Sequence, residues 1–228
     1  MISFSEKDKT IIGLLTILSG ILALACMIVG LIATQFDAEA FANPVSILNM
    51  KDISPDQMRW FMLLDMAGYY LLLLPVLFLI HRMMEQKTAW ASIFTSLGFG
   101  YILIGAIGAA ALAVLWPGLI ERHAVAPLRM QEIYRADFQL VTEFVAKGMW
   151  NHLEVLLGGA WWIGVGVFTV GQRILRVITI TLGISCLLDG MGEAFHLTIV
   201  AEVGLNIYLL LAIIWPIWVG VLLIRNKF

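Results

Sequence analysis

The chain has 228 residues, of which 61% are hydrophobic and 13% are charged. A soluble domain has about 45–50% apolar and about 25% charged residues, so this composition excludes a soluble enzyme and a disordered regulator. The net charge of −2 and the lack of a basic tract also exclude a nucleic-acid-binding protein. The composition therefore predicts a multi-pass membrane protein whose first partner is the lipid bilayer.

Six apolar stretches are long enough to cross a membrane, because about 20 residues of α-helix span about 30 Å of hydrocarbon. They are residues 11–33, 60–80, 88–116, 148–170, 174–197 and 204–224. Backbone polar groups cannot stay unpaired in lipid, so each stretch is expected to be helical. We therefore expect an all-α, six-transmembrane-helix bundle that forms one domain over residues 1–228, with long outer loops at 34–59 and 117–147.

The first stretch could instead be a cleaved signal peptide. Residues 11–33 form 23 uncharged positions, however, whereas the apolar core of a signal peptide has about 7–15. We therefore interpret this stretch as a retained span.

The segments around the spans contain further helix signals. Ser54 followed by Pro55 is typical of an N-cap and a first helical position, so it predicts where the second helix begins. Residues 127–147 place apolar side chains every three or four positions, which predicts a surface amphipathic helix or an extension of the fourth span. Pro75 and Pro216 lie inside spans and are expected to kink them.

Basic residues predict the orientation, because Lys and Arg concentrate in short cytoplasmic segments. With six spans, both termini lie on one side. That side carries eight basic residues in short segments: Lys7, Lys9, Arg82, Lys87, Arg173, Arg176, Arg225 and Lys227. The opposite side carries six in segments more than twice as long: Lys51, Arg59, Arg122, Arg129, Arg135 and Lys147. The higher density on the first side predicts that both termini are cytoplasmic.

Polar residues inside the spans are candidates for a functional site, because an ionisable group in a membrane is costly. With the predicted orientation, most of them lie toward the outer side. The residues expected to line a ligand-binding pocket there are Asp65, Asn151, His152, Glu154, Asp189 and Glu193. Such a pocket would lie between the second, fourth and fifth spans and would open to the outer leaflet or the periplasm.

One part of this group also suggests a metal site. Asp189, Glu193 and His196 are spaced four and three residues apart, which places them on one face of the fifth helix. Carboxylates and imidazoles suit a divalent metal, most commonly zinc. The expected ligands are His152, Glu193 and His196. A di-iron centre is disfavoured, because the sequence lacks a second Glu-x-x-His motif.

Three classes of function fit these features. The first is an integral membrane protein that binds a small molecule, a lipid or a metal in the outer pocket. The second is an intramembrane metal-dependent enzyme in which Asp189 or Glu154 activates a bound water. The third is a structural or partner subunit of a membrane complex that uses the small residues Gly105, Ala109 and Ala113 of the third span.

Further alternatives stay open. The polar residues could simply cap helices and contact water. A proton or ion path is another alternative, although the cytoplasmic half of the spans has few polar residues to continue it. No hydrolase elbow, Walker loop, Cys-x-x-Cys or His-Glu-x-x-His motif occurs, so no catalytic residue is assigned and binding is favoured over catalysis. The chain is expected to be a monomer or a small homo-oligomer.

Two spans carry motifs that bear on the family. The second span contains Gly68-Tyr69-Tyr70 and Pro75. The fourth contains Trp150-Asn151-His152-Leu153-Glu154, Gly158-Gly159 and Trp161-Trp162. Together with the helix layout, these motifs resemble a family of bacterial six-helix membrane proteins that is catalogued as a domain of unknown function. The resemblance implies a location in the bacterial inner membrane and carries over no catalytic residue.

Overall fold

The computed structural model describes residues 4–37, 40, 44–50, 52–169 and 171–228. Over these residues the chain is helical, without a β-strand, which confirms the all-α prediction. Lys51, which contributed to the predicted orientation, lies outside the described residues.

The described residues form six long helical stretches and a short 3-10 helix at Pro44–Asn49. The long ones are α1 (Glu6–Ala33), α2 (Pro55–Glu85), α3 (Ala91–Val125), α4 (residues 128–168), α5 (Arg173–Ala194) and α6 (Thr198–Ile224). All of them except α4 are long and apolar enough to cross a membrane.

The fourth predicted span is where the structure and the sequence pattern differ. The helical stretch α4 consists of α-helix Leu128–Glu143, π-helix Phe144–Glu154 and α-helix Val155–Phe168. Its apolar α-helical part has 14 residues, whereas a span needs about 20. The described residues therefore contain five long apolar helices rather than six.

The segment between the third and fourth predicted spans, residues 117–147, is helical except at residues 126 and 127. α3 continues to Val125, and α4 begins three residues later. The two helices contact each other through the Trp116 ring, which stacks on Phe138 at a centroid distance of 5.6 Å. The Trp116 indole N–H also donates to the Thr142 hydroxyl at 2.8 Å. Residues 127–147 are thus part of an extension of the fourth helix, one of the two predicted alternatives.

The start of α2 follows the predicted signal. The Ser54 side chain accepts a hydrogen bond from the Gln57 backbone N–H at 3.3 Å, and Pro55 is the first helical residue. Ser54 is therefore the N-cap that the sequence indicates, which shortens the predicted loop 34–59.

The middle of α2 is irregular. This helix consists of α-helix Pro55–Asp65, π-helix Met66–Tyr70, 3-10 turn Leu71–Leu73 and α-helix Leu74–Glu85. Pro75 favours this irregularity, because it has no N–H to donate to the preceding turn. By contrast, α6 stays α-helical through Pro216 to its end.

The helices pack as a ring in chain order. Each helix contacts the next one along the chain, and α6 closes the ring on α1. Gly105, Ala109 and Ala113 of α3 are buried within this packing. The small-residue face predicted to bind a partner subunit is therefore covered by the chain's own helices.

Candidate functional site

A buried carboxyl group, that of Glu154 in α4, lies at the centre of the helix ring. Its Oε2 accepts a hydrogen bond from the Tyr70 hydroxyl at 3.0 Å, and its Oε1 accepts one from the Tyr208 hydroxyl at 3.4 Å. The Tyr208 hydroxyl is also 2.7 Å from that of Tyr101. Glu154 is only 2% exposed. These four residues, which we call the Glu154 centre, connect α2, α3, α4 and α6.

The π-helices of α2 and α4 both contact Gly105 of α3. A Cβ atom at Gly105 would overlap the ring of Tyr70, which ends the π-helix of α2. The indole N–H of Trp150, in the π-helix of α4, donates to the Gly105 carbonyl oxygen at 3.3 Å. Because Gly105 has no side chain, α3 can approach both of the segments that carry Tyr70 and Glu154. π-Helical segments inside α-helices are frequent at functional sites.

Helix α1 holds the π-helix of α2 from the other side. The Ser19 hydroxyl donates to the Gly68 carbonyl oxygen, a buried contact. The backbone of α1 at Ala23 lies where a Cβ atom of Gly68 would be. The position of Tyr70 therefore depends on close backbone packing between α1 and α2.

Buried aromatic rings surround Tyr101. Its ring centroid is 5.8 Å from that of Trp161 and 6.2 Å from that of Trp162. The ring of Trp162 lies 4.6 Å from that of Trp215, whose indole N–H donates to the Thr179 hydroxyl at 2.8 Å. The indole N–H groups of Trp161 and Trp162 are buried and have no hydrogen-bond partner among the described residues. The Glu154 centre is thus bordered by aromatic faces and by two unused donors.

Two further carboxyl groups, on Asp65 of α2 and Asp189 of α5, lie within electrostatic range of Glu154. Asp189 is 1% exposed, and neither of its oxygens has a hydrogen-bond partner in the described part of the chain. Asp65 is half-buried; its Oδ1 lies 3.9 Å from the Cys26 sulfur, and its Oδ2 is buried without a partner.

These carboxyl groups have no basic partner among the described residues. The ion pairs among the described residues involve none of Asp65, Glu154 and Asp189. An ionised carboxylate that is buried without a counter-charge costs several kcal/mol (about 3–5). A proton or a bound cation that neutralises this charge therefore stabilises the site.

The structure divides the predicted site residues into two groups. Asp65 and Asp189 each lie within electrostatic range of Glu154 inside the ring. The others lie at its margin: Asn151 and Glu193 are half-buried, and His152 is exposed. The His152 Nδ1 is 2.6 Å from the Lys147 carbonyl oxygen.

The predicted metal ligands are not assembled. Helix α5 ends at Ala194, and His196 follows with a φ of 56°, so it leaves the helical face that Asp189 and Glu193 share. Its side chain is exposed, like that of His152. Within the described ranges, no group of three or more His, Cys, Asp or Glu residues is arranged to hold a metal ion. The zinc hypothesis therefore gains no support from this arrangement.

The sequence pattern missed the tyrosines. Tyr70, Tyr101 and Tyr208 are the groups that contact Glu154 or each other. Tyrosine in a membrane protein is usually enriched at the lipid–water interface. The signal in the sequence was that each of these tyrosines lies inside an apolar stretch.

No family model matches this chain, and comparisons with curated proteins and with solved structures also find no match. The resemblance to the bacterial six-helix family stays a prediction.

Proposed function

We propose that this chain is a multi-pass membrane protein that binds a small organic cation, such as a protonated amine, beside the Glu154 centre. The observation that carries the proposal is Asp189. This carboxyl group is almost completely buried, yet both of its oxygens lack a hydrogen-bond partner among the described residues. Buried polar groups in folded proteins are normally paired, so unpaired carboxylate oxygens favour a ligand that donates to them.

The chemistry of the surrounding groups supports a cationic ligand. Asp65, Glu154 and Asp189 are acidic, and the ion pairs among the described residues give none of them a basic partner. The aromatic rings nearby attract a cation through their faces, and Trp is the best residue for this interaction. Trp161 and Trp162 are fully buried next to Tyr101, where such an attraction is strengthened by the exclusion of water.

A membrane location with six crossings and cytoplasmic termini belongs to the same proposal. Five helices are long and apolar enough to cross, and α4 packs in the ring between α3 and α5 like a sixth. The density of basic residues near both termini favours a cytoplasmic side there. By its resemblance to the bacterial six-helix family, we place the chain in a bacterial inner membrane.

The other functions suggested by the sequence have less support. A metal-dependent enzyme needs His152, Glu193 and His196 to converge, whereas both histidines are exposed. A subunit that docks through the small residues of α3 would need a face that this chain itself buries.

Titration of the purified protein with methylammonium, tetramethylammonium and tetraethylammonium chloride tests the proposal. The readout is tryptophan fluorescence, because Trp161 and Trp162 border the site. We expect a saturable change with at least one of the three cations and none with sodium chloride at equal ionic strength. Asp189→Asn keeps the shape of the side chain and should weaken binding about tenfold or more, because a desolvated charge partner is lost.

The matched control is Glu202→Gln, which removes an exposed carboxylate near the start of α6. This variant should bind like the wild type. Absence of saturable binding with all three cations would overturn the proposal. Equal affinity of the wild type and Asp189→Asn would also contradict it.

A further inference from the structure

The hydrogen bonds of the Glu154 centre have a direction that donor counting fixes. Each tyrosine hydroxyl has one hydrogen to donate. When Glu154 is ionised, Oε2 accepts from Tyr70 and Oε1 accepts from Tyr208. The hydrogen of Tyr208 is then used, so the 2.7 Å contact between Tyr208 and Tyr101 must be donated by Tyr101. Two hydroxyl groups then donate to the carboxylate, and the third donates to the Tyr208 hydroxyl.

A proton on Glu154 gives the same atoms a second arrangement of hydrogen bonds. With the proton on Oε1, the carboxyl group donates to Tyr208, and Tyr208 donates to Tyr101. The Tyr70 hydrogen bond to Oε2 is unchanged, because that oxygen has no proton. One proton is gained, the carboxyl group becomes neutral, and no other covalent bond forms or breaks.

We infer that Tyr101, Tyr208 and Glu154 form a reversible proton-binding site inside the helix ring, in which one proton on Glu154 reverses the direction of two hydrogen bonds. In the reversed arrangement Tyr101 accepts from Tyr208 instead of donating to it, and its own hydrogen has no acceptor among the described contacts. The inference concerns the protein without a ligand, so it does not depend on the proposed cation.

The close packing around the Glu154 centre is compatible with protonation of Glu154. A Cβ atom at Gly158 would lie 2.5 Å from the Tyr101 ring, and one at Gly105 would overlap Tyr70. The rings that carry these two hydroxyls are thus held so closely that one added carbon at either glycine forces a shift. A proton adds no heavy atom to this packing, since it binds an oxygen that is already present.

The electrostatic surroundings of Glu154 also favour its protonation. The titratable groups that act on Glu154 come from each neighbouring helix: Tyr70 and Asp65 from α2, Tyr208 from α6 and Asp189 from α5. Tyr101 of α3 and Cys186 of α5 in turn lie within range of Glu154. None of these groups is basic, so within the described part of the chain no side-chain cation competes with a proton for the carboxylate.

Infrared difference spectra between high and low pH test the inference, because a protonated carboxyl group has a carbonyl stretch that a carboxylate lacks. We expect a band in the wild type that Glu154→Gln abolishes. Tyr208→Phe removes the neighbour of Oε1 and should shift the frequency of the same band. Asp65→Asn and Asp189→Asn remove the other two carboxyl groups and should leave this band in place.

Tyr208→Phe should also change the affinity for the proton. A hydrogen bond to a charged acceptor is about twice as strong as one between neutral groups, so the Tyr208 hydroxyl stabilises the ionised form more than the protonated one. Its loss should tighten proton binding about tenfold, corresponding to roughly 1.4 kcal/mol. The midpoint of the band should therefore move to higher pH.

Tyr101→Phe provides a second variant in case Tyr208→Phe does not fold, since it keeps the contact of Tyr208 with Glu154. Its band should shift less than that of Tyr208→Phe. The control is Tyr134→Phe, a half-buried tyrosine in the first segment of α4, which should leave the band unchanged. If Glu154→Gln removes no band from the wild-type spectrum, or if neither tyrosine variant moves the band that it does remove, the inference is overturned.

Discussion

The Tyr70 hydroxyl lies 3.0 Å from Oε2 of Glu154, although 84 positions separate the two residues in the chain. Both residues end a π-helix, in α2 and α4 respectively. The two least regular helical segments of the ring are thus joined through one buried hydrogen bond.

Removal of this bond should destabilise the protein. Tyr70→Phe keeps the ring but leaves Oε2 without its donor, and an unsatisfied buried acceptor costs about 1–3 kcal/mol. We expect a lower thermal unfolding midpoint in detergent. Tyr134→Phe, which removes a hydroxyl from the half-buried Tyr134, should change the midpoint little. Equal midpoints for the two variants would show that the Tyr70 contact does not contribute to stability.

The close approach at Gly105 gives a second prediction. In Gly105→Ala the new methyl group meets the Tyr70 ring, and overpacking of this kind costs about 1–3 kcal/mol. The control is Gly118→Ala in the same helix, because a Cβ atom at Gly118 would meet nothing within 4 Å. Gly118→Ala should be neutral or stabilising by up to about 1 kcal/mol, because Ala favours a helix. Thermal midpoints that rank the two variants in the opposite order would contradict the packing.

Much of this fold could be predicted from apolar length alone. Each predicted span corresponds to a helical stretch, and the Ser54–Pro55 signal marks the start of α2. The sequence also named Asp65 and Asp189, which lie within electrostatic range of Glu154, because charged residues inside apolar helices turn toward other protein groups.

Other features have no local signal. A π-helix adds a residue per turn without changing composition, so the irregular segments around Tyr70 and Glu154 depend on tertiary packing. The sequence spacing places His196 on the face shared by Asp189 and Glu193 only if α5 continues to that residue. The helix ends two residues earlier, at Ala194, and a left-handed residue redirects the chain.

The contact between α3 and α4 gives a third prediction. The Trp116 indole N–H donates to the Thr142 hydroxyl at 2.8 Å in a buried position. Thr142→Val keeps the shape of the side chain but removes the acceptor, which should cost about 1 kcal/mol or somewhat more because a buried donor is left unpaired. Thr10→Val, at an exposed position in α1, is the control. Hydrogen exchange at the α3–α4 junction should increase only in the first variant.

The exposed histidines give a prediction on metal binding. Since His152 and His196 are exposed and belong to no assembled ligand group in the described residues, zinc should bind weakly and without defined stoichiometry. Elemental analysis after incubation with zinc should therefore give the same result for the wild type and for His196→Ala. Stoichiometric zinc that disappears in this variant would restore the metal-site hypothesis and favour the enzyme class.

The side of the membrane on which each terminus lies distinguishes five crossings from six. Six crossings place both termini on one side of the membrane, whereas five place them on opposite sides. The native cysteines Cys26 and Cys186 are buried, so an impermeant thiol reagent should detect introduced cysteines above a low background. Lys7→Cys and Lys227→Cys place a thiol at exposed positions near each end. In intact cells both should stay unlabelled, because the density of basic residues predicts cytoplasmic termini.

The positive control for this experiment is Arg129→Cys, an exposed position at the start of α4. It lies between the third and fourth crossings and should react in intact cells. All three positions should react once the membrane is permeabilised, which shows that access and not local structure limits labelling. If Lys7→Cys and Lys227→Cys behave differently in intact cells, α4 does not cross, and Glu154 would then lie in a helix that enters the bundle without spanning the membrane.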